Sequence, residues 1–220
     1  MRIIGSGLIA DSVKTSLKLP INIYAKGISN SRVYSDADYV RDERELVNFL
    51  GQNSESLTCY ISSSDLSIYE PFGKYLEHKK KLESIVLAFP NTMIIRMPQI
   101  VTIPIVEKSL LGWIIGCIER DEKIKCWSDV KRYPLHKDLI PIIYSKCDYL
   151  SAGVILDIRP KEGLTTQEIV NILNPNYINY EIEKIDIKKC KNDDRIIYSH
   201  MYDKTLSDSL YCQNLIRLMK

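Results

Sequence analysis

Residues 2–10 of the 220-residue chain read Arg2-Ile3-Ile4-Gly5-Ser6-Gly7-Leu8-Ile9-Ala10, and this segment is the strongest indication of the fold. A short β-rich run ends in a turn of the form G-x-G-x-x-A, and residues 8–17 follow with helical spacing of apolar side chains. The first glycine of such a turn allows a tight bend, the second lets backbone amides approach a pyrophosphate, and the small third residue lets helix pack on strand. Taken alone, a turn that merely joins a strand to a helix explains the residues about equally well.

Beyond this turn the chain continues to alternate between strand-like and helix-like segments. Strands are predicted at residues 21–25, 57–61, 92–97 and 154–158, and helices at 37–50, 73–89, 139–147 and 166–173. This alternation indicates an α/β protein with a parallel sheet covered on both faces. After Val101 the pattern loosens, and residues 103–118 are predicted to form a helix outside the sheet.

Composition excludes several classes of protein. The chain has 30 Lys+Arg and 28 Asp+Glu, a net charge of +2, which argues against a polyanion-binding surface and therefore against a nucleic-acid partner. A hydrophobic content of 45% supports one sizeable core rather than disorder. The six cysteines lack CxxC pairs and zinc-ligand spacing, so we expect free thiols and no metal site.

Targeting and membrane signals are also missing from the sequence. No signal peptide is visible, and the longest apolar run, residues 110–118, is far shorter than the roughly 20 residues that a membrane span needs. These features predict a cytoplasmic protein without a membrane span.

Tyr75 and Lys79 lie four residues apart in a predicted helix, so their side chains share one face. A lysine there can lower the pKa of the phenol and hold a ribose hydroxyl, which leaves Tyr75 as a general acid/base. A serine hydroxyl from the preceding strand end completes such a site, at the sheet edge where ligands bind. The pattern Y-x-x-x-K is common by chance, however, and a surface tyrosine beside the solvated run His78-Lys79-Lys80-Lys81 is the alternative.

The order of these motifs resembles the short-chain dehydrogenase/reductase superfamily. The glycine turn, a serine-rich strand end, Y-x-x-x-K and Arg96-Met97-Pro98 follow one another as they do in that family. More narrowly, residues 129–139 are similar to the Arg-x-x-hydrophobic-His-x-x-Asp segment of its extended branch, the NAD-dependent epimerases, dehydratases and reductases of nucleotide sugars. Residues 153–158 and 164–170 are similar to the last core strand and next helix of that branch.

The resemblance implies a Rossmann-like doubly wound parallel sheet with a small C-terminal α+β substrate-binding part. It implies NAD or NADP as cofactor, a nucleotide sugar as substrate and a place in surface polysaccharide biosynthesis. The residues that it places at the cofactor are Gly5, Ser6, Gly7, Leu8, Ile9, Ala10, Ala25, Lys26, Gly27, Lys79, Pro98 and Gln99.

The catalytic set that the resemblance implies is Ser64, Tyr75 and Lys79, with Tyr75 as the base and Lys79 as its partner. Ser63 and Ser67 compete with Ser64, because this loop does not align without a gap, and Ser63 is also a candidate at the substrate. Arg132 is expected at the diphosphate of the sugar nucleotide, since a guanidinium matches phosphate oxygens. Two residues of the same segment are expected to be structural, namely His136 and Asp138, the latter as the N-cap of helix 139–147.

The chain departs from the family between Leu17 and Ile21, where only three residues replace two strand-helix units. We therefore expect a sheet truncated by about two such units, without the residues that usually recognise the adenosine ribose. Lys26 hints at a 2′-phosphate. Residues 1–102 and 137–160 are expected to form the Rossmann-like core, and 103–136 and 161–220 the smaller part.

Three functions stay open from the sequence, in decreasing order. The first is an enzyme, the second a degenerate non-catalytic protein that binds a nucleotide or nucleotide sugar, and the third a structural partner subunit. A structural partner subunit would bind through a sheet edge that the deletion exposes, and a homodimer would use the same edge.

Overall fold

The computed structural model describes residues 2–14, 21–28, 34–102, 105–107, 109–138, 140, 151–160, 162–185, 187–189 and 196–198. The strands are β1 (Ile3–Ile4), β2 (Asn22–Tyr24), β3 (Thr58–Ser63), β4 (Thr92–Met97), β5 (Ile100–Val101), β6 (Ile124–Trp127), β7 (Lys131–Arg132), β8 (Leu135–His136), β9 (Ile155–Asp157), β10 (Leu164–Thr165), β11 (Tyr180–Glu183) and β12 (Ile196–Tyr198). The helices are α1 (Leu8–Lys14), α2 (Asp36–Gln52), α3 (Gly73–Ala88), α4 (Leu110–Glu119) and α5 (Thr166–Leu173), with a 3₁₀ turn at Ser64–Ser67.

The chain forms two compact units. The first comprises Met1–Met97, Lys137–Ile158 and Lys188–Ser199, and the second comprises Pro98–His136, Arg159–Ile187 and His200–Lys220. The sequence placed all of 161–220 in the smaller part, and this assignment is wrong for β12. The apolar run Ile196-Ile197-Tyr198 pairs with β9 and so extends the sheet of the first unit. A strand of three residues is too short for its sheet partner to be predicted from sequence.

The first unit is built on a six-stranded parallel sheet with the order β1-β2-β3-β4-β9-β12. One row of side chains crosses five strands in register and packs against α2 and α3: Ile4, Tyr24, Tyr60, Ile94 and Ile155. On the other face the alternating residues are also buried: Ile23, Cys59, Met93, Ile95 and Leu156. Because both faces are covered, the predicted α/β class with a parallel sheet is confirmed.

Strand β1 begins this sheet, and among the described residues it pairs only with β2. Only six residues separate Lys14 from Ile21. They are too few for the two strand-helix units that the resembled family has at this place. The strand order runs in one direction from β1, so the reversal at which dinucleotides bind in doubly wound sheets is not formed by the described strands.

Helix α3 carries the predicted catalytic pair, and its apolar spacing sets which residues face the sheet. Leu76, Leu82 and Val86 are buried on the inner side at helical intervals. Lys79 and Glu83 lie on the same side and are therefore carried into the core with them.

The second unit is a small α+β assembly. Helix α4 begins at Leu110, later than predicted, and the side chain of its N-cap Ser109 accepts a hydrogen bond from the Gly112 amide. The core of the second unit includes Ile114, Cys126 and Val170. Three two-stranded pairs surround this core: β6 with β11, β5 with β8, and β7 with β10. The sequence missed these strands because each has only two to four residues.

None of the described helices combines the length and the apolar character that crossing a membrane would require.

Candidate active site

The glycine turn has two glycines with different surroundings. Gly5 has φ +138°, and a Cβ there would lie 2.6 Å from the carbonyl oxygen of Ala25, so only glycine allows the turn to approach the end of β2. At Gly7 a Cβ would meet nothing within 4 Å. Ala10 is fully buried. The turn is therefore tightly packed at its first position and open at its second, which is where a pyrophosphate would approach the backbone.

The end of β2 is occupied by carboxylates rather than by an unpaired cation. Lys26 Nζ lies 2.7 Å from Glu45 Oε2, so the proposed 2′-phosphate ligand is already ion-paired. Gly27 has φ +134°, and a Cβ there would lie 3.1 Å from Asp42 Oδ1. The Ile28 amide donates to Asp42 Oδ2 at 3.4 Å. A phosphate at this position would meet two negative charges, which weakens the hint of NADP.

The three candidate serines have different partners in the structure. The Ser64 hydroxyl is buried 2.8 Å from Asp157 Oδ1 and 3.1 Å from the Arg96 carbonyl oxygen. Ser67 Oγ accepts from Arg96 Nη1 at 2.9 Å. Ser63 Oγ instead accepts from the Asp65 amide at 3.3 Å, and Ser63 lowers the pKa of the Tyr75 phenol. Ser63 is thus the candidate serine that acts on Tyr75, and the choice among the three as the catalytic serine remains a prediction.

Lys79 is 5% exposed, and its ammonium donates to Tyr60 Oη at 3.1 Å. Its Nζ lies 5.3 Å from the ring centroid of Tyr60 and 6.0 Å from that of Tyr75. Burial lowers the pKa of Lys79 to about 8, against the opposing effects of Asp42 and Glu83. The lysine thus contacts both phenols, but its hydrogen bond goes to Tyr60.

The pKa of Tyr75 is raised to about 12, first by burial and then by the negative charge of Asp65, while the hydrogen bond from Ser63 lowers it. The sequence predicted instead that Lys79 would lower the pKa of this phenol. The shift is upward, because burial dominates and the Lys79 ammonium donates its hydrogen bond to Tyr60. Tyr75 is therefore protonated at neutral pH.

Sequence reasoning missed three residues around Lys79. Tyr60 is one, and the others are Asp42 and His78, whose Oδ2 and Nε2 atoms lie 2.9 Å apart. His78 was predicted to be solvated with its lysine neighbours, but it is only 7% exposed. Its position next to inward-facing Lys79 on the helix was the available signal. Lys80 and Lys81 are exposed as predicted.

Four of the remaining predicted residues, Pro98, Gln99, Arg132 and His136, belong to the second unit, and Asp138 belongs to the first. The Gln99 carbonyl oxygen accepts from the Leu135 amide at 2.8 Å, directly after buried Pro98. The Arg132 guanidinium lies 5.7 Å from the ring centroid of Trp127. The predicted helix 139–147 lies outside the described residues, except for Ile140. The roles of Pro98, Gln99, Arg132, His136 and Asp138 remain predictions.

The depressed pKa of Lys79 makes a prediction about stability. Below pH 8 the ammonium is charged in both states, and the folded state carries the full burial penalty. Between about pH 8 and 10.5 the folded state loses the proton while the unfolded chain keeps it, so stability rises with pH. Relative to Lys79→Met, the wild type should gain about 3 kcal/mol across this window, which urea unfolding at several pH values would measure.

The matched control for this experiment is Lys80→Met, which removes an exposed lysine from the next position of α3. Its stability difference from wild type should stay constant across the same window. Parallel pH curves for Lys79→Met and wild type would contradict the depressed pKa.

Solved structures of other proteins share the fold of this chain, although no family model and no curated protein sequence matches it. Among solved structures, MoeE5 in complex with UDP-glucuronic acid and NAD is 12% identical, with TM-score 0.64 over 98% of this chain and 84% of that chain. A dTDP-glucose 4,6-dehydratase from Bacillus anthracis, in complex with NAD, is 13% identical, with TM-score 0.61 over 96% of this chain and 75% of that one.

A UDP-glucuronic acid 4-epimerase from Bacillus cereus, in complex with NAD, is 13% identical, with TM-score 0.59 over 92% of this chain and 71% of that one. Identities this low establish a shared fold rather than shared chemistry. The Rossmann-like parallel α/β fold that the sequence resemblance implied is confirmed, without a strand reversal among the described strands. The chain therefore has the Rossmann-like α/β fold of NAD-dependent nucleotide-sugar dehydratases and epimerases, in a form shorter than theirs.

Proposed function

We propose that this protein is a compact NAD(P)-dependent enzyme that acts on a nucleotide sugar, as an epimerase, dehydratase or reductase of surface polysaccharide biosynthesis. The observation that carries the proposal is that the buried Lys79 ammonium lies 6.0 Å from the ring centroid of Tyr75 on the same helix, with Ser63 lowering the pKa of that phenol. Similarity to a dehydratase and an epimerase solved with NAD supports the same class.

The residues present fit the pyrophosphate and the nicotinamide ribose of NAD(P) better than they fit its adenosine end. Backbone at Gly5, Ser6 and Gly7 would hold the pyrophosphate, because the second glycine faces open space. Lys79 would lie near the nicotinamide ribose. The adenosine end is less well provided, since β1 has no described neighbour beyond it and Lys26 is paired with Glu45. When bound, the cofactor would supply or accept hydride.

Tyr75 would exchange a proton with the sugar oxygen while Ser63 hydrogen-bonds that oxygen. With a pKa of about 12, the phenol carries its proton at pH 7. In the reductive direction the carbonyl oxygen of a keto sugar would receive that proton. The buried cation of Lys79 would stabilise the phenolate left behind.

A second candidate is a degenerate binding protein that has lost adenosine recognition. It is favoured by the hydrogen bond that Lys79 donates to Tyr60 rather than to Tyr75, and by the position of β1 at the start of the sheet. Such a protein would bind a nucleotide sugar without a dinucleotide.

Titration separates the two candidates. We would measure binding of NAD(H), NADP(H) and a panel of UDP-, GDP-, CDP- and dTDP-sugars by calorimetry and fluorescence. The enzyme requires micromolar binding of NADH or NADPH, with the bound hydride consumed when the correct nucleotide sugar is added. Binding of a nucleotide sugar with no dinucleotide binding would favour the degenerate protein.

Gly7→Ala tests the pyrophosphate turn. A methyl group there meets no protein atom within 4 Å, so we expect an unchanged melting temperature. It would occupy the space through which a phosphate approaches, so we expect dinucleotide affinity to fall at least about tenfold. Gly51→Ala is the matched control, because its methyl also enters open space but lies at the end of α2. Equal affinity in both variants would remove the turn from the site.

A further inference from the structure

Tyr60 is the polar member of an otherwise buried cross-strand row. It lies in register between Tyr24 of β2 and Ile94 of β4, and its side chain is fully buried beneath α3. Burial raises its pKa well above the ordinary value, so its hydroxyl stays neutral. A neutral phenol can accept a hydrogen bond from a cation without adding charge to the core.

The Lys79 ammonium needs such an acceptor because it is buried. A charged group in the core is costly unless it is hydrogen-bonded. Tyr60 Oη, at 3.1 Å, is the hydrogen-bond acceptor that the described residues give it, and the faces of Tyr60 and Tyr75 add cation–π attraction. Asp42 and Glu83 contribute negative charge.

We propose that Tyr60 is a positioning residue, which holds the Lys79 ammonium beside the Tyr75 ring and determines the pH range in which that ammonium is charged. Its relevance to catalysis rests on the proposed function. The pairing itself is a property of the ligand-free protein and can be tested there.

Removing the Tyr60 hydroxyl should make the Lys79 charge harder to keep. A hydrogen bond to a charged group is among the stronger ones in proteins, and a buried ammonium deprived of it releases its proton more readily. Tyr60→Phe keeps the ring and nearly all of the packing. We therefore expect the midpoint of the Lys79 titration to fall by about one pH unit in this variant.

The measurement is an NMR titration of the lysine side-chain ε-carbons in the ligand-free protein, with Lys79 assigned from the signal lost in Lys79→Met. Tyr24→Phe is the matched control: Tyr24 lies beside Tyr60 in the same row and is 1% exposed, and its hydroxyl has no partner among the described residues. In Tyr24→Phe, the midpoint of the Lys79 titration should equal that of the wild type. An unchanged midpoint in Tyr60→Phe, or equal changes in both variants, would overturn the proposal.

Lys79→Met gives a second readout that does not depend on the folding of Tyr60→Phe. The Tyr60 phenol carbon resonance should move in this variant while that of Tyr24 stays in place, and a stationary Tyr60 resonance would also overturn the proposal. If the protein turns over a nucleotide sugar, the limb of its pH profile that follows Lys79 should move with the NMR midpoint. Confirmed pairing without turnover in the wild type would count against the proposed function alone.

Discussion

Tyr75→Phe should lower turnover of the nucleotide sugar by about 10²–10⁴-fold while the protein remains folded. The variant keeps the aromatic ring beside the Lys79 ammonium, and loses only the hydroxyl whose pKa Ser63 lowers. Without that hydroxyl no proton can pass between residue 75 and the sugar oxygen. The measurements are kcat from consumption of NADH or NADPH, and the melting temperature of each protein.

Tyr24→Phe is the control, since it removes a buried hydroxyl from the same unit without touching Ser63 or Tyr75. It should keep both turnover and melting temperature. If Tyr75→Phe also kept full turnover, the assignment of Tyr75 as acid/base would be wrong. If neither variant nor wild type turned over any nucleotide sugar, the degenerate binding protein would be the better description.

Arg96→Met should lower the free energy of unfolding by about 3–5 kcal/mol. The Arg96 side chain is 1% exposed and that of Glu83 is 2% exposed, and they form a two-point ion pair with Nε–Oε1 at 2.9 Å and Nη2–Oε2 at 2.7 Å. Removal of the guanidinium leaves a carboxylate in the core without its cation, and also strips Ser67 of its partner. Urea unfolding monitored by circular dichroism measures the loss, which is a large part of the stability of a typical domain.

Two further variants identify the cause of that loss. The double variant Arg96→Met with Glu83→Met also removes the uncompensated charge, and should recover most of the stability. Lys125→Met removes an exposed ion pair of the second unit, in which Lys125 Nζ lies 2.8 Å from Glu183 Oε1. This variant should have no measurable effect on the free energy of unfolding. A double variant as unstable as Arg96→Met would mean that lost packing, not the buried carboxylate, explains the effect.

Much of the fold could be predicted because it depends on local patterns. The β-rich run at β4 and the helical spacing at α5 were predicted at the bounds that the structure shows, 92–97 and 166–173. Strand β4 is a continuous buried run, as expected for a strand covered on both faces, and α5 buries residues at helical spacing after a capping box at Thr165. The short strands of the second unit carry no such period, so their pairing could not be predicted.

Individual side-chain partners were much harder to predict than elements. Ser63 and Ser64 are adjacent and chemically identical, but only Ser63 lowers the pKa of Tyr75. Lys26 resembled a phosphate ligand until α2 placed Glu45 against it. These outcomes depend on distances between elements that are far apart in sequence.

The glycine turn and the alternation of parallel strands and helices along the chain could be predicted from sequence, because backbone sterics and apolar periodicity act over a few neighbouring residues. Only the tertiary structure decided that Lys79 bonds to Tyr60, nineteen residues away, and that burial raises the pKa of Tyr75. Hydrogen bonds and desolvation in a core depend on which distant groups share one small volume, and that volume exists only after the sheet and its helices have packed.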